Sequence, residues 1–102
     1  MKTYDVFLSE DALNDLHNGT EFYNRQEQGA GDYFWDCLIS DFESLTLCAG
    51  VHKKVSGFHQ MFAKRFPYTI YYTISERKAL VSAVLPMRRN PEWISEQMKI
   101  RH

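Results

Sequence analysis

The residues best suited to chemistry are two basic pairs and one histidine in the second half of the chain. Lys64-Arg65 and Arg88-Arg89 carry cationic side chains, which can bind an anionic partner or pair with carboxylates. His59 carries an imidazole, which exchanges a proton near neutral pH and can therefore act as an acid or a base. His59, Arg65 and Arg88 are one candidate acid–base set, and the four cations are candidate target-binding residues.

Each of these side chains also has a structural interpretation. Arg65 and Arg88 could form ion pairs with a helical carboxylate such as Asp41. His59 could be a partly buried histidine that is hydrogen-bonded to a sheet, and Arg89 could cap backbone carbonyls at the end of a strand. The residue types alone leave both interpretations open.

A predicted β-hairpin positions the two basic pairs. Its arms, residues 64–74 and 79–85, are rich in β-branched and aromatic residues, and a polar turn at Glu76-Arg77-Lys78 separates them. Pro91 prevents the second arm from extending much further. The alternation predicts a packed face on the first arm, opposite a semi-polar face with Thr69, Tyr71 and Thr73. The packed face would hold Tyr68, Ile70, Tyr72 and Ile74. Such a hairpin brings both basic pairs to the edge of one small sheet.

Two helices are predicted before the hairpin. The first is capped by Ser9 and runs to about Gln26, with a kink or an early end at Gly19 as the alternative. The second is capped by Asp32 and stops at Gly50. Its apolar face is predicted to contain Phe34, Cys37, Leu38, Phe42, Leu45 and Cys48.

For three other residues of the second helix, the sequence allows two structural interpretations. Asp41 points into the apolar face, where it lies either at the margin or beside a base from the sheet. Trp35 and Ile39 lie toward the other flank, where they widen the core contact or form an apolar groove for a partner.

The remaining pattern completes an α+β fold. Tyr4, Val6 and Leu8 alternate with Asp5, Phe7 and Ser9, which predicts a first strand, whereas residues 51–56 are predicted to be a connection. Phe58, Phe62 and Phe66 recur along a further strand candidate, and residues 92–100 are compatible with a short helix. The predicted fold is a small antiparallel-rich sheet in β-α-α-β-β-β order, with a helical hairpin on one face and a short C-terminal helix.

The size and charge of the chain limit the class of protein to which it can belong. Its 102 residues suit a single domain over 1–102, and the absence of a long apolar run predicts a cytoplasmic protein with no membrane partner. The net charge is only −1, yet residues 1–50 hold ten acidic and two basic residues, whereas residues 51–102 hold three acidic and ten basic ones. The positive half could attract phosphate or neutralise the acidic helices of the same molecule.

No cofactor and no metal are predicted. The two cysteines, Cys37 and Cys48, lie in the same predicted helix about 16 Å apart at 1.5 Å per residue, which is too far for a disulfide. No third sulfur and no suitably spaced histidine accompany them, so both are read as buried apolar residues.

Against this background the sequence resembles the RelE/ParE superfamily of type II toxin–antitoxin toxins over roughly residues 4–95. The most specific section is Arg65-Phe66-Pro67-Tyr68 to Tyr72, followed by a hydrophobic strand and Arg88-Arg89-Asn90-Pro91, which looks like the ParE-like branch. The resemblance also rests on spacings in the first half of the chain and before the hairpin. These are Leu16, Tyr23 and Gly31-Asp32, and Gly50 followed by Gly57.

The resemblance implies a bacterial growth inhibitor that a cognate antitoxin holds inactive. RelE-like members cleave mRNA on the ribosome, whereas ParE-like members inhibit DNA gyrase. At the positions where RelE-like enzymes carry catalytic cations this sequence has Gln60, Phe62 and Thr69, and only Arg88 matches. The tyrosine expected later falls near Trp93 or Ile94.

This comparison favours a ParE-like toxin that needs no catalytic residue and does not bind specific DNA sequences by itself. The alternatives are an mRNA endonuclease that uses His59, Arg65 and Arg88, and an inactive homologue. Trp35 and Ile39 are the candidate antitoxin-binding residues.

Overall fold

The computed structural model describes residues 3–101, which form a five-stranded sheet with helices on both faces. The strands follow the order β1-β5-β4-β3-β2, in which β1 is parallel to β5 and the other pairs are antiparallel. The elements are β1 (Asp5–Leu8), α1 (Glu10–Gln26), α2 (Ala30–Cys48), β2 (Lys54–Val55), β3 (Phe58–Phe62), β4 (Tyr68–Ser75), β5 (Lys78–Pro86) and α3 (Pro91–Arg101). The predicted α+β fold is confirmed, and the connection predicted at 51–56 contains the short strand β2.

The helix α1 forms as its sequence predicts. The Ser9 side chain accepts a hydrogen bond from the Ala12 backbone N–H at 3.1 Å, and the helix continues without a break to Gln26. Gly19, the predicted weak point, is buried where α1 and α2 pack together. A Cβ at Gly19 would come within 2.6 Å of the Phe34 ring, so packing explains this glycine better than local propensity does.

The start of α2 differs from the prediction. The helix begins at Ala30, after Gly29 in the left-handed region at φ 89°, so Asp32 lies in the first turn and is not the cap. The side chain of Asn24 accepts a hydrogen bond from the Gly31 N–H at 2.8 Å, which satisfies a free donor of the new helix. A side chain from the preceding helix therefore replaces the predicted local cap.

The main core lies between the helical hairpin of α1 and α2 and one face of the sheet. Tyr68, Ile70 and Tyr72 face it from β4, as predicted, and Ile74 is partly buried beside them. The helices contribute Ala12, Leu16, Phe34, Leu38, Phe42 and Leu45. Cys37 and Cys48 are half-buried, not fully buried, and both are free thiols.

The opposite face of the sheet is not semi-polar, because α3 covers it. Met98 of α3 packs with Tyr71 and Leu85, and Trp93 and Ile94 lie against the same cluster. Thr69, which was predicted on the semi-polar face, is only 5% exposed. The helix predicted at residues 92–100 thus closes a second, smaller core.

Tight turns connect the strands. Ser56 and Gly57 both have positive φ, 52° and 91°, which is the pattern of a type I′ hairpin between β2 and β3. The β4–β5 turn uses Glu76 and Arg77, with Glu76 at φ 59°, so Lys78 of the predicted turn is already in β5.

Phe66 lies beyond β3 and not in it, and the centres of the Phe66 and Phe34 rings are 5.0 Å apart. Within residues 3–101, no helix is long and apolar enough to span a membrane.

Candidate functional site

The two basic pairs lie at the same end of the sheet. Lys64-Arg65 follows β3, and Arg88-Arg89 follows β5. The two segments are tied together because the Met87 N–H donates to the Pro67 carbonyl at 2.8 Å. All four cationic residues are exposed.

A cleft of about 400 Å³ opens beside the second pair, between α1, the end of β5 and α3. We call it the arginine cleft. The residues that line it are Asp15, Asn18, Gly19, Glu21, Phe22, Arg25, Tyr68, Val84, Leu85, Pro86, Arg88, Arg89, Trp93, Gln97 and Arg101. Lys64 and Arg65 do not line it, so the structure separates the two basic pairs into different surroundings.

Aromatic rings hold the two arginines of the cleft. The guanidinium of Arg88 lies 4.4 Å from the centre of the Phe22 ring, and that of Arg89 lies 4.6 Å from the centre of the Trp93 ring. Within residues 3–101, neither arginine has a carboxylate within salt-bridge distance. Cation–π contacts use the face of a guanidinium and leave its N–H edges able to bind an anion.

A buried ion pair forms the wall of the arginine cleft. Asp15 accepts a hydrogen bond from the Val84 N–H at 2.9 Å and binds Arg101 through both carboxylate oxygens. Arg101 also donates to Gln97 at 3.3 Å. The hydrogen bonds that Arg101 donates to Asp15 raise the pKa of Arg101 further above its ordinary value.

Asp15 and Arg101 were not among the candidate residues predicted from the sequence. Asp15 lies three residues after Ala12, on the buried side of α1, and an acidic residue there requires a partner. The backbone of β5 explains why a carboxylate is placed there. Because β1 stops pairing with β5 at Val81, the Val84 N–H has no strand neighbour on that side, and Asp15 supplies its acceptor.

Tyr68 belongs to both the core and the arginine cleft. It is only 4% exposed, and no hydrogen bond within residues 3–101 involves its hydroxyl. Burial raises the pKa of Tyr68, with the nearby charges of Arg88 and Asp15 acting in opposite directions. The sequence predicted Tyr68 as a packed strand residue and gave no sign that it lines the same cleft as Arg88 and Arg89.

His59 lies in a different cluster, which we call the histidine cluster, formed by His52, His59 and Tyr72. The His59 ring stacks on the Tyr72 ring, with 5.0 Å between the ring centres, and its Nδ1–H donates to the His52 carbonyl at 2.8 Å. The Tyr72 hydroxyl lies 2.5 Å from His52 Nδ1 and accepts from the Gly50 N–H at 2.9 Å. Burial, followed by the charge of His59, lowers the pKa of His52.

The histidine cluster is remote from the basic pairs. His59 is opposite Tyr72 in the β3–β4 register, whereas Tyr68, at the other end of β4, is opposite Pro86. Among the described residues, no contact joins His59 to Arg65 or to Arg88. The candidate acid–base set is therefore not assembled in this structure.

Asp41 is buried beside the segment that carries the first basic pair, but it contacts the backbone of that segment and forms no salt bridge within residues 3–101. It is 4% exposed and accepts a hydrogen bond from the backbone N–H of Lys64 at 3.3 Å. Burial raises its pKa, and the charges of Lys64 and Arg65 partly oppose that shift. Asp41 thus holds the segment after β3, and Arg88 makes its contacts elsewhere.

The two candidate antitoxin-binding residues lie in different surroundings. Trp35 is half-buried against the main core, and the centre of its ring system is 5.2 Å from the centre of the His17 ring. Ile39 is half-buried and lines a groove of about 470 Å³ between α2 and the free edge of β1. We call this the edge groove, and its walls are Tyr4, Asp5, Val6, Phe7, Leu8, Ile39, Phe42, Glu43 and Thr46.

Comparison with known proteins places this geometry in a known fold. No protein-family model matches the sequence, and no curated protein gives a significant match. A chain of the solved structure described as "Chromosomal ParDE TA system from P. aeruginosa" superposes with a TM-score of 0.76 at 12% sequence identity. The match covers 84% of this chain and 98% of that chain. The chain has the fold of that ParDE chain. At this identity the likeness is one of fold, and that fold agrees with the α+β fold that the sequence predicted.

Proposed function

We propose that this chain is a ParE-like toxin of a bacterial type II toxin–antitoxin system, acting in the cytoplasm. The observation that carries the proposal is the fold match to a ParDE chain over 84% of this chain. The ParE-like motif Arg88-Arg89-Asn90-Pro91 supports it, because these residues connect β5 to α3 at the end of the sheet that holds both basic pairs.

The proposed mode of action is binding to a large target, DNA gyrase by resemblance. Lys64, Arg65, Arg88 and Arg89 are exposed at one end of the molecule and none has a carboxylate within salt-bridge distance among the described residues. Charged side chains without a carboxylate partner in their own chain are suited to steering and recognition of a partner. The position of His59 in the histidine cluster supports binding over RNA cleavage.

The proposed antitoxin site is the edge groove. β1 is an edge strand, so one side of its backbone has no strand neighbour, and an extended segment of a partner can pair there. Ile39 and Phe42 offer an apolar floor beside that edge, and Phe7 is 48% exposed. An antitoxin segment that adds a strand to β1 and buries apolar side chains against α2 would use both features.

Tightly controlled expression in bacteria tests the toxin proposal. Growth is followed together with incorporation of labelled thymidine and labelled amino acid. We expect growth to stop, with an early fall in DNA synthesis while translation continues. Prompt loss of translation would favour mRNA cleavage instead, and unimpaired growth would indicate an inactive homologue.

Matched variants sharpen the same experiment. The double variant Arg88→Gln and Arg89→Gln should reduce growth inhibition, since it removes the second basic pair. Arg77→Gln changes an exposed arginine at the opposite end of the β4–β5 hairpin and should remain as toxic as the parent chain. Equal loss in all variants would show that overall charge, and not this surface, matters.

The edge groove is tested by rescue with the antitoxin encoded in the same operon. Ile39→Asp places a charge in the groove and should leave the toxin active but no longer neutralised. Leu47→Asp is the control, because Leu47 is on the same helix, 64% exposed and outside the groove. Full rescue of Ile39→Asp would exclude the edge groove as the antitoxin site.

A further inference from the structure

The arginine cleft has an excess of positive charge that its own residues do not neutralise. Four cations and two carboxylates line it: Arg25, Arg88, Arg89, Arg101, Asp15 and Glu21. Each carboxylate lies within salt-bridge distance of its own arginine, Glu21 with Arg25 and Asp15 with Arg101. The two cations that remain are Arg88 and Arg89, which gives the cleft a formal charge of two.

Tyr68 adds a hydroxyl donor to the cleft. The residue as a whole is almost fully buried and lines the cleft, and its hydroxyl makes no hydrogen bond within residues 3–101. Among the described residues no buried side-chain oxygen or nitrogen lacks a partner, so the Tyr68 hydroxyl is the part of this residue that is open to the cleft. A hydroxyl in that position can donate a hydrogen bond to a ligand. The Tyr68 hydroxyl lies close enough to Arg88 and Arg89 for their charges to act on it. A ligand between the arginines would therefore also meet this donor.

The cleft wall offers neutral donors as well. Asn18 and Gln97 line the same space, and each carries a side-chain amide. Gln97 is oriented by Arg101, whose guanidinium donates to the Gln97 side-chain oxygen at 3.3 Å. Its NH₂ group is thereby left as the donor available to the cleft. The donors of the site thus belong to α1, β4, the end of β5 and α3.

We propose that the arginine cleft is a binding site for a small phosphomonoester, either free phosphate or the 5′-phosphate of a mononucleotide. A phosphomonoester carries a charge of about −1.5 to −2 at neutral pH and has three strong acceptor oxygens. It neutralises both free arginines and has an oxygen left for Tyr68. A carboxylate would leave one positive charge unneutralised, and a single phosphodiester group would do the same.

The size of the cleft is consistent with this ligand class. Its volume of about 400 Å³ is within the range of small-molecule sites and exceeds what phosphate alone would fill. The remaining space lies beside Phe22 and Trp93, whose rings already hold the two arginines. A nucleoside attached to the phosphate would find aromatic edges and amides there.

The proposal does not depend on the toxin function, because binding is measured on the purified chain alone. Calorimetric titrations at constant ionic strength would use inorganic phosphate, adenosine 5′-monophosphate and adenosine as separate probes. We expect saturable binding of both phosphate probes and none of adenosine. Equal affinity for the two would assign the site to phosphate itself, and tighter binding of the nucleotide would assign it to a mononucleotide.

Variants connect the binding to the cleft. Arg88→Gln and Arg89→Gln should each weaken phosphate binding at least about tenfold, as expected for the loss of a charge-assisted hydrogen bond. Tyr68→Phe removes only the hydroxyl, so it should weaken binding a few-fold while the protein remains folded. Arg77→Gln, which removes an equal charge outside the cleft, should bind like the parent chain.

Three results would overturn the proposal. The first is an absence of saturable phosphate binding, and the second is equal weakening by Arg77→Gln and Arg88→Gln. The third is tight binding of a single-stranded oligonucleotide without terminal phosphates when neither phosphate probe binds, which would make the ligand a nucleic-acid backbone. Circular dichroism of each variant separates loss of binding from loss of fold.

Discussion

Asp15 shows how one buried carboxylate can join three elements. It lies on α1, accepts the Val84 N–H of β5 and binds Arg101 in the last turn of α3. The Ser82 carbonyl, one residue into the region where β5 has lost its β1 neighbour, accepts from both Ser9 and Arg101. The helix on one face of the sheet is thereby tied to the helix on the other face around the open part of the β5 edge.

Removing one member of this ion pair should destabilise the protein strongly. Arg101→Met leaves Asp15 as an uncompensated buried charge, and such losses typically cost about 3–5 kcal/mol. Urea denaturation measures the change in the free energy of unfolding. Arg25→Met is the control, because Arg25 and its partner Glu21 are each 70% exposed, and exposed pairs contribute less than about 1 kcal/mol. Similar losses in both variants would contradict a structural role for the buried pair.

The histidine cluster predicts loss of stability in mild acid. Because burial lowers the pKa of His52 in the folded protein, the unfolded chain takes up a proton first as the pH falls. The free energy of unfolding should therefore decrease below about pH 6.5, the unfolded value, and level off below the folded pKa. Urea denaturation across this range measures the slope.

His52→Gln should reduce the pH dependence that comes from this cluster. Glutamine can still form a hydrogen bond with Tyr72 but does not titrate. His17→Gln is the comparison variant, because it removes an imidazole from an exposed position of α1 outside the histidine cluster. If His52→Gln and the parent lose stability equally in acid, another group must be responsible.

At the scale of elements, two glycines allow α1 and α2 to approach closely. A Cβ at Gly31 would collide with the Thr20 carbonyl oxygen of α1, and one at Gly19 would reach the Phe34 ring at 2.6 Å. The ring cannot move away easily, because Phe34 is fully buried and also contacts Tyr23, Phe66 and Tyr68. The close packing of α1 against α2 therefore depends on the lack of a side chain at Gly19 and Gly31.

Gly19→Ala separates packing from helix propensity. Propensity alone predicts that alanine in the middle of α1 is stabilising by about 1 kcal/mol, whereas overpacking against Phe34 typically costs about 1–3 kcal/mol. We expect a net destabilisation in thermal or urea unfolding. Asn14→Ala, at an exposed position of α1, should be neutral or slightly stabilising. A more stable Gly19→Ala variant would show that the hairpin accommodates a methyl group at no cost.

For the molecule as a whole, charge is segregated by layer. The acidic first half forms β1, α1 and α2, and the basic second half forms most of the sheet and α3. Within residues 3–101, only two salt bridges form, Arg25–Glu21 and Arg101–Asp15, and the first joins residues of the same helix. The attraction between the layers is thus mostly long-range and leaves the basic surface available to partners.

Long-range attraction predicts a dependence of stability on salt. Raising the ionic strength from about 0.01 M to 0.15 M shortens the Debye length from about 30 Å to 8 Å and screens the attraction between the layers. The free energy of unfolding should fall by up to about 1 kcal/mol over this range. Asp36→Lys weakens the segregation at an exposed position of α2 and should reduce the effect. A rise in stability with salt would indicate that repulsion within each layer dominates.

The order of elements was readable from the sequence because hydrophobic periodicity and capping residues act locally. Ser9 and Gln26 bound α1 as predicted, and β5 follows the predicted hairpin arm closely. Both basic pairs come together at one end of the sheet, but the predicted first arm was too long, because β4 begins only at Tyr68 and Lys64-Arg65 lies in the loop after β3. The Asp32 cap was wrong, because Asn24 of the preceding helix satisfies the donor of Gly31.

Only the tertiary structure decided which side chains meet. The arginine cleft unites residues from α1, β4, β5 and α3, and the partner of Asp15 lies 86 positions along the chain. The same folding separates His59 from Arg88, although the chemistry of their side chains had made both candidates for one acid–base set. Local sequence determines the conformation of each element, whereas the packing of distant elements determines which polar groups become buried and must be paired.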